Sequence, residues 1–291
     1  MRRSKENREV SMCIHRWLMA AFALVGLLLP GSVLCAEKPL WEFGAGLALL
    51  RMPDYRGSDE SRYYVLPYPY LIYRGDVLKV DRERISGRIF KTDRLLLDIS
   101  LFGNVPVDSS KNTARSGMPD LDPTFEIGPS LNITLLKKQQ GRYKLNLALP
   151  VRAFFSTDFS SLHHQGWVFS PKLIFEKEDF IPQTGLKLGI SAGPMFADSS
   201  CNSYYYSVDP VYATASRPAY SAGGGYSGST LAVSLNKGFE QLLLNAFVGA
   251  DFLHGAVYED SPLVKKKNSV MCGFTVSWIF LKSAKQVPTD K

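Results

Sequence analysis

The sequence predicts an all-β protein, a transmembrane antiparallel up-and-down β-barrel that follows a cleaved N-terminal signal peptide. Three observations predict it. The chain opens with a basic stretch, a short apolar core and a run of mostly small residues. Apolar residues then recur with period two over segments of nine to thirteen residues. Beyond the opening, no apolar run approaches the ~20 residues that a spanning helix needs.

The opening comes first. Arg2, Arg3, Lys5, Arg8 and Arg16 make it basic, diluted by Glu6 and Glu9. Trp17 to Leu29 follows as thirteen apolar or small residues, then Pro30-Gly-Ser-Val-Leu-Cys-Ala36. That order is a secretory signal with its cut after Cys35 or Ala36. A lipidated Cys35 fits less well, because Leu34 stands where such sites want Gly or Ala. Residues 1–36 are therefore expected to be a signal peptide, 37–280 the barrel and 281–291 a C-terminal tail.

Removing 36 of the 291 residues leaves 255, enough for one large domain, and no linker divides them. The formal charge of +7 falls to about +4, since the opening holds five basic and two acidic residues. So small and scattered an excess does not call for a nucleic-acid partner. Cys201 and Cys272 are the cysteines left, too few and too far apart for a disulfide framework. Neither a C-x-x-C nor an H-E-x-x-H spacing is present, and the reading assigns no metal and no cofactor.

The alternation carries the fold. Tyr143, Leu145, Leu147, Leu149, Val151 and Ala153 interleave with Lys144, Asn146, Ala148, Pro150 and Arg152. Phe125, Ile127, Leu131, Ile133 and Leu135 interleave with Glu126, Gly128, Ser130, Asn132 and Thr134. Val270, Cys272, Phe274, Val276, Trp278 and Phe280 do the same near the end. Period two is a strand with two unlike faces. A soluble sandwich also alternates, but its strands usually run five or six residues, whereas a tilted strand needs ~9–11 to cross a bilayer. The non-apolar face is rich in Gly, Ser, Asn and Thr, which suits a lumen. Trp41, Phe43, Tyr63, Tyr73, Tyr143, Phe154, Phe155, Trp167 and Trp278 gather at segment ends, where interfacial girdles form.

Eleven strands are expected, near 41–51, 62–73, 76–90, 93–105, 123–137, 141–155, 165–177, 184–198, 222–236, 238–253 and 267–280. Single-chain barrels take even numbers. Either 76–90 is two strands or Tyr204–Val208 adds one, giving twelve, with ten next. Long connections fall at 106–122, 156–164, 199–221 and 254–266, and tight turns at Lys138–Gly141 and Asn236–Gly238.

Particular residues also resemble a family. Met52-Pro-Asp-Tyr-Arg-Gly-Ser-Asp59 with Leu66-Pro-Tyr-Pro69 is similar to the opening of the MipA/OmpV outer-membrane proteins. Gly117-Met-Pro-Asp-Leu-Asp122 with Phe125-Glu-Ile-Gly128 resembles their central element, and Asp260-Ser-Pro-Leu-Val264 their last loop. The likeness runs in order from about Trp41 to Phe280. It implies the cell outer membrane and a scaffold role that bridges a lytic transglycosylase and a peptidoglycan synthase. For other members it implies osmotic response or passage of small solutes. The tail after Phe280 departs from barrels that end on the aromatic of the last strand.

Two sets of candidate residues result. Asp54, Tyr55, Gly57, Gly117, Met118, Pro119, Asp120, Ser261 and Pro262 form the turn motifs, with Tyr55 expected at the membrane interface. Asp98, Glu126, Lys144, Arg152, Lys172 and Lys187 are expected to line the lumen, because charge on a lipid face costs several kcal/mol. Lys265–Lys267 could meet lipopolysaccharide phosphates, so lipid and lipopolysaccharide are expected partners. Ser160-Ser161 before His163-His164 is read as a solvated loop rather than a catalytic set, and no enzyme is expected. Two functions stay open, a scaffold and a passive channel for small solutes.

Overall fold

A computed structural model describes residues 37–75, 78–80, 85–87, 90–138 and 141–288. The proposed signal at 1–36 lies outside them. No described helix is long and apolar enough to cross a membrane, which says nothing of a β-barrel.

Among the described residues there are sixteen strands: β1 (Glu37–Pro39), β2 (Trp41–Pro53), β3 (Ser61–Arg74), β4 (Leu78–Val80), β5 (Ile85–Gly87), β6 (Phe90–Lys91), β7 (Leu95–Asn104), β8 (Thr124–Lys138), β9 (Tyr143–Thr157), β10 (Leu162–Phe169), β11 (Lys172–Lys177), β12 (Lys187–Ala197), β13 (Gly225–Gly238), β14 (Leu242–Phe252), β15 (Asn268–Lys282) and β16 (Gln286–Pro288). Fourteen of them make one antiparallel sheet, ordered β5-β4-β3-β2-β15-β14-β13-β12-β10-β9-β8-β7-β6, with β11 between β12 and β9. β10 and β11 are one strand interrupted at Ser170-Pro171, where Pro171 removes a ladder donor. β5 and β6 likewise share one position, and β5 lies beside β7, so the ends of the sheet meet. The fourteen segments thus occupy twelve positions around an up-and-down barrel.

The wall is inside out. Leu47 is 44% exposed, and Leu49, Val65, Leu101, Val151, Leu173, Val233 and Val248 are exposed with it. Asp98 is 1% exposed, and Glu126, Asn132, Asn146, Arg152 and Asp251 are buried. A water-soluble protein reverses this; the arrangement fits a chain whose outer solvent is hydrocarbon. Glycines let the inner face close. The Tyr68 ring lies where a Cβ on Gly46 would sit, and Phe247 does the same over Gly273.

Several expectations need correction. Of the two routes to an even count, two strands within 76–90 is the one found, its described residues forming β4 and β5 paired with each other. Tyr204–Tyr206 end a helix, α1 (Ser199–Tyr206), rather than adding a strand; Asp198 caps it by accepting from the Cys201 N–H at 2.9 Å. Asn236–Gly238 stay paired within β13, and the turn follows at 239–241. Phe154 belongs to no girdle, since it is 1% exposed and packs inward against Tyr204 and Tyr205. Phe43, Trp167 and Trp278 are exposed as girdle residues should be.

The tail also differs. β15 runs past Phe280 to Lys282, and β16 folds back to pair with β1 in a separate two-stranded ribbon. Arg74 fastens it, donating to the Pro39 carbonyl at 2.7 Å and to Glu42 at 3.0 Å.

Candidate functional site

The three turn motifs, far apart in sequence, converge in one cap over the long-loop end of the barrel. Tyr55, Val107, Leu121, Tyr206, Val208, Leu253, Tyr258 and Leu263 form its apolar core, with Met118 packed against it. Tyr258 is 0% exposed and stacks on Tyr206 with ring centroids 3.6 Å apart. Tyr55 is buried here, not at the membrane interface, and its hydroxyl donates to the Leu263 carbonyl at 2.8 Å.

Hydrogen bonds close the cap. Asp54 accepts from Arg62 Nε at 2.7 Å and from Asn112 Nδ2 at 2.8 Å, joining the first turn to the 105–123 loop. Gly57 takes a φ of +93°, which a side chain resists, and its carbonyl accepts from the Lys265 and Lys266 N–H groups. Gly117 has a φ of +80°. Asp120 accepts from the Ser109 N–H at 2.7 Å, and the Pro119 carbonyl from Ser109 Oγ and Arg115 Nη2. Ser261 Oγ, just before Pro262, donates to the Tyr206 carbonyl at 2.7 Å. Arg217 spans two loops by donating to the Ala114 and Ser116 carbonyls. Arg56 points from the cap to the barrel wall, where Nε meets Asp251 Oδ1 at 3.0 Å.

Below the cap, all six predicted lumen residues fall on the inward parity of their strands. Arg152 donates to Glu126 at 2.7 Å, to Ser170 Oγ at 2.8 Å and to Ser100 Oγ at 3.3 Å. Asp98 accepts from Asn132 Nδ2 at 3.0 Å on the next strand. Lys144 sits opposite Glu176 in register. Lys172 is half-buried and lies in the field of Arg152, Glu126, Arg56 and Asp251. Lys187 is the exception in setting; it opens β12 at the tight-turn end, exposed, with its ammonium paired to Glu178. Nearby, inward Tyr70, Ile72, Leu243 and Ile279 form a buried apolar cluster. The ribbon is anchored at β2 and β3, yet the charge of Lys38 on β1 acts on Glu178 after β11.

Sequence reasoning passed over Arg56, Arg115, Arg217, Tyr206, Tyr258 and Asp251. Arg56 stood inside a quoted motif, and Asp251 on the inward parity of its strand, so both carried a signal. The tyrosines of α1 carried none that separates cap core from strand.

The turn is confined to 158–161; His163 and His164, expected in a loop, instead pair within β10 opposite Ser156 and Phe155. Asp158 accepts from Ser160 and Ser161, both backbone and hydroxyl, and these bonds hold its carboxyl far below the usual range. Ser161 Oγ lies 2.9 Å from His163 Nε2, but the carboxylate meets the serine, not the imidazole it would have to orient. No group of three metal-ligating side chains occurs among the described residues.

Cap tyrosines give a pH expectation. Burial, reinforced by the charge of Asp122, pushes Tyr204 up to about 12, and burial raises Tyr55, Tyr205 and Tyr206 further. A pKa raised by folding means stability that is complete below ~10, the unfolded value, and lost as pH rises through the folded value. Tyrosinate absorbance should therefore rise in two steps, exposed tyrosines near pH ~10 and a cap group nearer 12 as the cap loosens. A single step near ~10 would contradict the packed cap.

The inside-out wall and closed antiparallel sheet define an outer-membrane β-barrel. The chain belongs to the MipA family, described as MltA-interacting protein MipA, whose model matches residues 45–280. It is 24% identical over 214 residues to outer membrane protein Omp26La of Vibrio anguillarum, covering 72% of this chain and 76% of the relative. It is 24% identical over 216 residues to OmpV of Vibrio cholerae, with the same coverage. Among solved structures, an outer membrane channel from Pseudomonas putida F1 aligns at a TM-score of 0.41 and 13% identity, over 86% of this chain and 98% of that one. A bacterial polysaccharide outer membrane secretin aligns at 0.42 and 8%, over 82% and 99%.

Proposed function

We propose that this protein is a scaffold of the outer membrane, a shut barrel that holds a lytic transglycosylase and a peptidoglycan synthase near the membrane. The observation that carries this reading is buried apolar packing toward both ends of the barrel. At one end the cap core buries Tyr258, Leu253 and Leu263, and toward the other Tyr70, Ile72, Leu243 and Ile279 form a buried apolar cluster. A passive pore needs a continuous wet path, and buried Glu126, Arg152 and Asp251 occupy the middle. The family's description as MltA-interacting supports the same reading.

The ribbon of β1 and β16 is the surface such enzymes would meet, since long loops normally face the cell exterior and tight turns the periplasm. Lipopolysaccharide contact at Lys265 and Lys266 is a further part of the proposal, as both flank the cap rim. The second reading, a passive channel for small solutes, is favoured by the half-buried Lys172 and the Ser, Asn and Gly of the inner wall. Single-channel recording of the refolded chain in a planar bilayer separates them. The scaffold predicts a heat-modifiable folded band, no conductance steps, and retention of the two murein enzymes in pull-downs. Discrete ohmic steps without retention would establish the channel instead.

A further inference from the structure

The two carboxylates whose charges act on Lys172 are both already held by arginines. Arg152 is bonded to Glu126 and Arg56 to Asp251, which uses both carboxylates of that region. Lys172 stands among these four, and its ammonium has no hydrogen bond or ion pair to any described residue. Lys172 is only half-buried, so part of its surface stays accessible. Arg56 Nη2 and Ser269 Oγ, on either side of Asp251, are buried and also lack a bond. An unpaired cation in a protein interior is costly, and a bound counter-ion offsets that cost.

We propose that the barrel interior holds a small free oxyanion, a carboxylate or phosphate, bound at the ammonium of Lys172. The backbone explains the placement. Pro171 interrupts the strand between β10 and β11, and its carbonyl lies where a Cβ on Gly193 would sit. That close approach fixes Lys172 inward, two residues beyond Ser170, which Arg152 already holds. A lipid headgroup is excluded by its acyl chains, since the site is enclosed by strand wall and cap. The ligand is therefore a soluble ion, and the site is independent of the scaffold reading.

The test uses the refolded full-length mature chain in detergent, with inorganic phosphate and acetate as separate probes. Loss of the fast-migrating folded band is followed against temperature, at ionic strength matched with the bulky HEPES anion. Wild type should gain a few degrees with phosphate, acetate or both. Lys172→Met should start more stable than wild type without probe and gain nothing with it, while Lys172→Arg should keep the response. Equal gains in wild type and Lys172→Met, meaning a general salt effect or an adventitious ion only, would overturn the site. So would no gain in wild type. The readout needs no conductance, so a silent bilayer leaves it standing, and its failure leaves the scaffold untouched.

Discussion

Replacing Arg152 by leucine should cost the barrel ~3–5 kcal/mol, and replacing Glu126 along with it should return most of that loss. The pair is buried, with each residue 7% exposed and 2.7 Å between Arg152 Nε and Glu126 Oε2. Their attraction is not the source of the penalty. Bringing two charges out of water cancels much of the Coulomb gain, so a pair replaced whole by apolar groups loses little. The single change instead strands a carboxylate in the barrel interior and frees the Ser170 and Ser100 hydroxyls that Arg152 held. Urea midpoints of the folded band for Arg152→Leu, Glu126→Leu and the double variant make a complete cycle. A double variant as unstable as Arg152→Leu alone would show that the pair itself stabilises the wall.

The pair also shows what the sequence makes legible. Glu126 and Arg152 fall on the polar parity of two segments whose other parity is apolar, and a strand must send those two sets to opposite sides. Parity gives inward direction but not register. Arg152 lies opposite Ile127's neighbour across a bulge-free stretch, with Ala153 paired to Ile127, and only the ladder reveals that. The same parity places Phe154 inside, because it continues the series Asn146, Ala148, Pro150 and Arg152; its bulk and its position at a strand end argued the other way.

Where alternation stops, legibility stops too. Tyr204-Tyr-Tyr206 has high strand propensity, yet the Asp198 cap and the burial of three rings in the loop core decide for helix. Tertiary packing overrides a local preference worth less than ~1 kcal/mol. The β1–β16 ribbon is three residues a side between chain ends, too short for a period to be seen. Gly238 reads as a turn residue in the sequence, yet it pairs with Leu243 and the chain reverses just after it. The motif residues were found by resemblance, but their convergence depends on Tyr206, Tyr258 and Arg56, whose roles exist only once the loops are folded together.

That dependence makes the cap separable from the wall, and Tyr258→Ala should separate them. Tyr258 is stacked on Tyr206 and donates to the Ser227 carbonyl at 2.9 Å, so the change removes a buried ring and a bond at the centre of the cap. Losing a fully buried aromatic costs ~3–5 kcal/mol. The strand ladders from β2 to β15 do not pass through this cluster, so the wall should keep its folded, heat-modifiable band. Limited proteolysis should then cut the 105–123 and 198–224 loops of Tyr258→Ala much faster than those of wild type. Tyr258→Phe keeps the ring, loses one hydrogen bond of ~1 kcal/mol, and should stay resistant. If Tyr258→Ala also loses the folded band, the cap is part of the wall's stability rather than a lid set upon it. If the wall persists, the cap opens and the bilayer stays silent, the apolar cluster at Tyr70 and Leu243 is the second seal that the scaffold reading requires.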